Sequence, residues 1–216
     1  MSLSQLEQLI EAGDTLAIDH LLHNNPSLSQ EQTSHDISPL LLACYYKKPQ
    51  IIKVILKHLK TPSLFEACAA NQLDVVKIWI EQHPQEIDTY ASHGFTPLGI
   101  ATYFGYEEIV RYLLLKGADP NLPSNNGYQV YPLHSAIGSN FEGIAKMLVE
   151  AGAEVNVLQA SNITPLHSAA QNGNIEMLIL LLEQGAQVNI RTEHGETPAD
   201  MAKARGHAEI AKILQP

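Results

Sequence analysis

From Ile163 to Gln184 the chain reads ITPLHSAAQNGNIEMLILLLEQ. Thr164-Pro165 is a helix start: the hydroxyl can accept from free backbone N–H groups, and proline suits the first helical turn. A short helix follows and breaks near Asn172-Gly173. A second helix begins at Asn174, with an apolar stripe of Ile175, Leu178, Leu181 and Leu182. Gly185 then stops it, as a glycine in the left-handed conformation does. Neither helix can bury its apolar face alone, so the unit needs copies of itself on either side.

Those copies are in the chain. Taking Leu166 as a marker, its neighbourhood recurs at Leu6, Leu40, Leu64, Leu98, Leu133 and Ala199. Successive spacings are 34, 24, 34, 35, 33 and 33 residues, the sign of a repeat architecture. Seven residues after each marker stands a turn residue: Gly13, Lys47, Asn71, Gly105, Asn140, Gly173 or Gly206. Most are glycine or asparagine, which tolerate positive φ. Further on comes an apolar pair in the second helix, such as Ile51-Ile52, Ile109-Val110 or Met177-Leu178. Gly117, Gly152 and Gly185 close three of those helices; Asn25-Pro26 and His83-Pro84 close two others.

The openings Thr96-Pro97-Leu98, Tyr131-Pro132-Leu133-His134, Thr164-Pro165-Leu166-His167 and Thr197-Pro198 resemble those of the ankyrin repeat. So do the closes Gly117-Ala118-Asp119, Gly152-Ala153-Glu154-Val155-Asn156 and Gly185-Ala186-Gln187-Val188-Asn189. The resemblance implies an all-α ankyrin-repeat solenoid of about seven stacked helix pairs joined by short β-hairpin fingers. It implies one domain over residues 1–216: a capping repeat and loop over 1–37, internal repeats over 38–195, and a capping repeat over 196–216. Cap helices need a polar outer face, for which Gln5, Gln8, Lys203, Lys212 and Gln215 are suited.

Departures from the period are informative. The 24-residue spacing before Leu64 is short by the length of one finger, so a short loop around Lys60-Thr61-Pro62 is expected there. The longer spacing before Leu133 predicts a longer finger near Asn126-Gly127-Tyr128-Gln129. The polar stretch from Ser29 to Asp36 reads as a loose loop.

Composition narrows the function. The net charge of −10 argues against general nucleic-acid or anionic-membrane binding, which need a basic face. Glu7 and Glu11 interrupt the N-terminal region, which has no basic segment before an apolar run, so no secretory leader is expected. Apolar runs fall far short of the roughly 20 residues that span a bilayer. No nucleophile elbow, phosphate-binding loop, dinucleotide fingerprint or H-E-x-x-H is present. Neither catalysis nor a bound cofactor is expected.

The histidines and cysteines invite a metal reading. His20 and His23 could share a helical face, but no third ligand is evident, so an ordinary surface is expected. His134 and His167 occupy one repeat column. In the family that histidine hydrogen-bonds within and between fingers, so the resemblance implies a structural role. Cys44 and Cys68 share a column in adjacent repeats. Stacked helices lie about 8–10 Å apart, whereas bridged cysteines need Cα atoms within about 7 Å. Two buried free thiols are expected, which fits a reducing, cytoplasmic setting.

In ankyrin proteins a concave face, built from finger tips and first-helix ends, binds partners. The matching first-helix positions here include Tyr45-Tyr46, Tyr103-Phe104 and Gln171-Asn172. Two of these pairs are wholly aromatic in a chain with only 6% aromatic residues. Tyrosine offers large contact area at little entropic cost and is enriched at binding hot spots. Fingers add His93, Phe95 and Tyr128. The resemblance thus implies a protein-binding module, expected to be a monomer, whose partner is another protein. A regulatory inhibitor or host-directed effector using the same face is one alternative, and a ligand- or metal-binding protein using histidines is another. The rings could instead pad the groove between repeats. Lys47, Lys48, Lys53, Lys57 and Lys60 form a local basic run, read as a solvated helix face or as a steering patch for an acidic partner.

Overall fold

The computed structural model describes residues 2–215. Seven helix pairs follow one another: α1 (Leu3–Ala12) with α2 (Thr15–Asn24), α3 (Pro39–Tyr45) with α4 (Pro49–His58), α5 (Leu64–Ala69) with α6 (Leu73–Gln82), α7 (Pro97–Phe104) with α8 (Glu107–Leu115), α9 (Pro132–Gly138) with α10 (Glu142–Glu150), α11 (Pro165–Asn172) with α12 (Ile175–Glu183), and α13 (Pro198–Ala204) with α14 (Ala208–Ile213). The fold is that of an all-α ankyrin-repeat solenoid. Two compact units divide the chain: Met1–Pro84 with Ala91–His93, and Gln85–Tyr90 with Gly94–Pro216.

First helices start where the sequence says. Proline stands at the first turn of α3, α7, α9, α11 and α13. Ser38, Ser63, Thr96, Thr164 and Thr197 each accept a backbone N–H at the helix start. Reciprocal capping boxes pair Ser63 with Glu66, Thr164 with His167 and Thr197 with Asp200. Each cap of this kind contributes about 1 kcal/mol. Tyr131, which has no suitable oxygen, leaves α9 without a side-chain cap.

All seven turn residues after the markers have positive φ, between 53° at Lys47 and 86° at Gly206. Lys47 is the costly one, because a side chain is strained there by about 1–2 kcal/mol. Glycine would relieve that strain while adding unfolded-state entropy. We therefore expect Lys47→Gly to raise stability by about 0.5–1 kcal/mol, read as a higher urea midpoint at unchanged slope. A lower midpoint would mean that the lysine side chain contributes more than its backbone costs.

In both units the marker leucines form the centre of the core: Leu40, Leu64, Leu98, Leu133 and Leu166 are at most 1% exposed. In the first unit Leu6, Ile10, Ile18, Ile51 and Ile55 pack with them; in the second, Ile109, Val110, Leu148 and Leu181 do. Each such side chain contributes roughly 1.5–3 kcal/mol by leaving water. The stripe of α12 differs from expectation: Met177, Leu178 and Leu181 are buried, but Leu182 is only partly buried and Ile175 is half exposed, on the outward face it shares with Ile179. Cys44 and Cys68 are free and buried. Burial, with the nearby charge of Glu66, pushes the Cys44 thiol up to about 12, and burial alone pushes Cys68 up as well. Both stay protonated at neutral pH and act as small core residues.

The fingers are turns rather than strand pairs. Among the described residues the β pairing is a single antiparallel bridge, Gln159 with Ile163. Each arm is too short for a ladder, and one backbone bond closes the loop: Thr33 N to Ile37 O at 2.8 Å, Ser124 N to Val130 O at 2.9 Å, Gln159 N to Ile163 O at 3.0 Å and Thr192 N to Glu196 O at 2.9 Å. In the second unit the fingers also bond to one another. Asn125 N donates to Gly94 O at 2.9 Å, Ala160 N to Tyr128 O at 2.9 Å and Glu193 N to Ser161 O at 3.0 Å.

The stretch from Ser29 to Asp36 is not loose. It begins inside a 3-10 turn over Pro26–Gln30 and ends in the finger closed by Thr33. Ser29 and Thr33 are buried, and Glu7 of α1 accepts from both the backbone N and the Oγ of Ser34. Residues 59–63 alone join α4 to α5, where the other pairs are joined by fingers such as residues 25–38 and 184–197.

Candidate functional site

The two column histidines are held as structural groups. His167 Nδ1 accepts from Thr164 N at 3.2 Å and lies 2.8 Å from Thr164 Oγ1; its Nε2 donates to Glu196 O at 3.2 Å. His134 Nε2 donates to Ile163 O at 2.9 Å. Its Nδ1 is buried without a hydrogen-bond partner, since Tyr131 stands where Thr164 stands in the next repeat. Both rings bond the finger that follows the next helix, so each is a staple between repeats. Burial lowers the basicity of both, His134 to about 4. No group of three or more His, Cys, Asp or Glu residues is placed to hold a metal among the described residues.

The first-helix aromatics are split between the units. In the first, Tyr45 meets His93 edge-on at 6.4 Å, and Tyr46 is 40% exposed. Burial lowers the basicity of His93 too. In the second, Tyr103 is 46% exposed and contacts Phe104 edge-on at 5.1 Å. Phe104 stacks in turn on Tyr106 at 6.0 Å. Tyr106 belongs to the turn into α8 and went unread in the sequence, because its column is not one of the exposed ones. Phe95 is half buried ahead of α7, while Tyr128, on the longer finger, is 67% exposed.

The polar pair of the same column behaves differently. Asn172 Nδ2 donates to Ile137 O and Gly138 O, both at 3.2 Å, tying α11 to the end of α9. Gln171 lines a shallow groove with Glu196, Met201 and Arg205. The column thus divides into exposed rings and an amide engaged in the stack.

The lysine run does not form one helical face. Lys53 and Lys57 lie on α4, but the helix ends at His58 and Lys60 falls in the short loop after it. Lys57 Nζ pairs with Asp19 Oδ1 at 2.9 Å, and His58 Nε2 lies 2.6 Å from the same oxygen. These bonds, His58 first and then Lys57, hold the Asp19 carboxyl below its usual range. Part of the basic charge is therefore answered within the first unit. No helix among the described residues is long and apolar enough to cross a membrane.

A family description, "Ankyrin repeats (3 copies)", matches residues 6–124, 64–159 and 133–216. The chain belongs to the ankyrin-repeat family. Ankyrin repeats are generally protein–protein interaction modules, and the family is typically non-catalytic. Among its relatives, alpha-latrocrustotoxin-Lt1a of Latrodectus tredecimguttatus is 30% identical over 48% of this chain and 8% of its own length. The rat (Rattus norvegicus) ankyrin repeat and SAM domain-containing protein 6 is 34% identical over 43% of this chain and 10% of its own. "Probable 26S proteasome regulatory subunit p28" of Saccharomyces cerevisiae is 27% identical over 75% of this chain and 61% of its own. The chain spans a tenth or less of the first two relatives.

Proposed function

We propose that this chain is a non-catalytic module that binds a partner protein through the face formed by finger tips and first-helix ends. The observation that carries the reading is the exposure of Tyr103 beside Phe104 in the second unit. Large rings left in water at a repeated column are poor for the monomer and suited to an interface, where aromatics form hot spots. Tyr128 on the longer finger adds to this surface, and in the first unit Tyr45, Tyr46 and His93 offer a second, smaller one. Phe95, Gln171 and Asn172 belong to the same proposed face by their place in the repeat, with Asn172 fixed by its bonds to the end of α9. We read residues 1–216 as one ankyrin-repeat domain capped by 1–37 and 196–216, monomeric and cytoplasmic.

Alanine at Tyr103 and Phe104 is expected to weaken partner binding by at least about 2 kcal/mol, roughly thirtyfold, with the thermal midpoint nearly unchanged. Affinity capture from lysate identifies the partner, and titration of wild type against the double variant measures the loss. A large drop in thermal midpoint with no change in affinity would mark the pair as core and remove the surface from the argument.

A further inference from the structure

The finger missing between α4 and α5 leaves a slot in the first unit. In the second unit each finger tip gives a backbone N–H to a carbonyl of the finger before it, three times over: Asn125 to Gly94, Ala160 to Tyr128 and Glu193 to Ser161. A finger tip thus offers a carbonyl to the segment that follows it. Residues 59–63 are too few to supply that segment after α4. What lies in its place is a cavity of about 240 Å³, lined by Asp36 of the finger before α3 and by Ser92 and His93 of the finger before α7. Its floor is made by the first turns of α3 and α5, with Leu41 and Phe65 as apolar surface.

The slot has a sign. Asp36 and Glu66 line it, and no lysine or arginine does. Glu66 is 8% exposed, and its Oε2 takes both bonds from Ser63, from N at 2.8 Å and Oγ at 2.9 Å. Together Asp36 and Glu66 give the slot a negative lining, which favours a cationic side chain. Main-chain bonding of an added segment, with one side chain in a charged pocket, is the logic that β-augmentation uses on a larger scale.

We propose that this slot docks one extended segment of a partner protein, laid in as the absent finger, with a lysine or arginine directed to Glu66 and Asp36. The proposal rests on reading the chain as a protein-binding module and names the chemistry of what it binds. Random twelve-residue peptides displayed on phage, selected on the full chain, are the probe. Enriched peptides are expected to carry Lys or Arg and to lose about tenfold in affinity on Glu66→Gln, which keeps the capping box and removes the charge. They are expected to lose all binding to a variant carrying a copy of residues 154–162 inserted after Lys60. That insertion restores the chain's own finger length and fills the slot. Failure to enrich any peptide, or peptides that bind the filled variant as well as the wild type, overturns the proposal. Binding that survives the insertion but falls with Tyr103→Ala/Phe104→Ala overturns it too, while leaving the protein-binding reading intact.

Discussion

Between pH 7 and pH 4 the unfolding free energy should fall by about 3 kcal/mol through His134 alone. The ring donates Nε2–H to Ile163 O, so its neutral form carries the lone pair on Nδ1. That atom is buried and unpartnered. Protonation would place a charged N–H where no acceptor waits and little water reaches. Burial, chiefly, holds the folded value at about 4, and the neighbouring His167 adds a smaller push, against an ordinary 6.5. Over that window the unfolded chain binds the extra proton, so lowering the pH favours it. The contribution is complete above about 6.5 and lost as the pH falls to 4. Each tenfold difference in proton affinity is worth about 1.4 kcal/mol, which gives the total. His167, lowered in the same direction by burial, adds to the slope. The exposed carboxylates Asp19 and Asp200, held below 3.8, act only in more acidic solution. Urea unfolding at pH 7, 6, 5 and 4 measures the slope. In His134→Gln, which keeps a donor for Ile163 O and removes the titration, most of it should vanish. An unchanged slope in that variant would move the acid sensitivity elsewhere.

The helix pairs were legible because their signals are local and repeated. Thr-Pro openings, turn residues at positive φ and buried leucines recur at one spacing, so each copy checks the others. The missing finger was legible for the same reason, as a gap in the count between Leu40 and Leu64. What the count could not show is what lines the gap. Asp36, Glu66 and the pair Ser92-His93 come from three separate segments, and nothing in their spacing brings them together. Side-chain facing was the other limit. Periodicity put Ile175 in the apolar stripe, but the buried face of α12 runs through Met177, Leu178 and Leu181 and leaves Ile175 outward with Ile179. The basic run read as a helix face outlasts its helix: α4 ends at His58, two residues before Lys60. Asn172 shares a column with the exposed rings, and only the position of the α9 end shows that its amide is spoken for. For His134 the sequence already held the clue: Tyr131 replaces the threonine that satisfies His167 in the next repeat.

Leu166→Ala should remove about 3–4 kcal/mol of stability, and the loss should spread by neighbours rather than through the whole chain. Leu166 is 1% exposed and sits at the start of α11, between α9 and α13 and above α12. Truncation both forfeits the transfer of its side chain from water and leaves a cavity that three short helices can close only by shifting. Those helices are also tied by directional bonds: His134 Nε2 reaches Ile163 O, and Asn172 reaches the last carbonyls of α9. A shift of α11 strains both. In a linear array each repeat is stabilised by the two beside it, so amides of α9 and α13 should lose protection in step with those of α11. Amides of α7 should lose less, because a whole helix pair intervenes. Leu16→Ala, at a side chain 82% exposed, should cost under about 0.5 kcal/mol and serves as the control. Hydrogen exchange followed amide by amide distinguishes the outcomes. A uniform loss across the second unit would mean that its four helix pairs open together as one cooperative block. A loss confined to α11 and α12 would mean that the interfaces between repeats contribute little, and that each pair is held mainly by its own turn and caps.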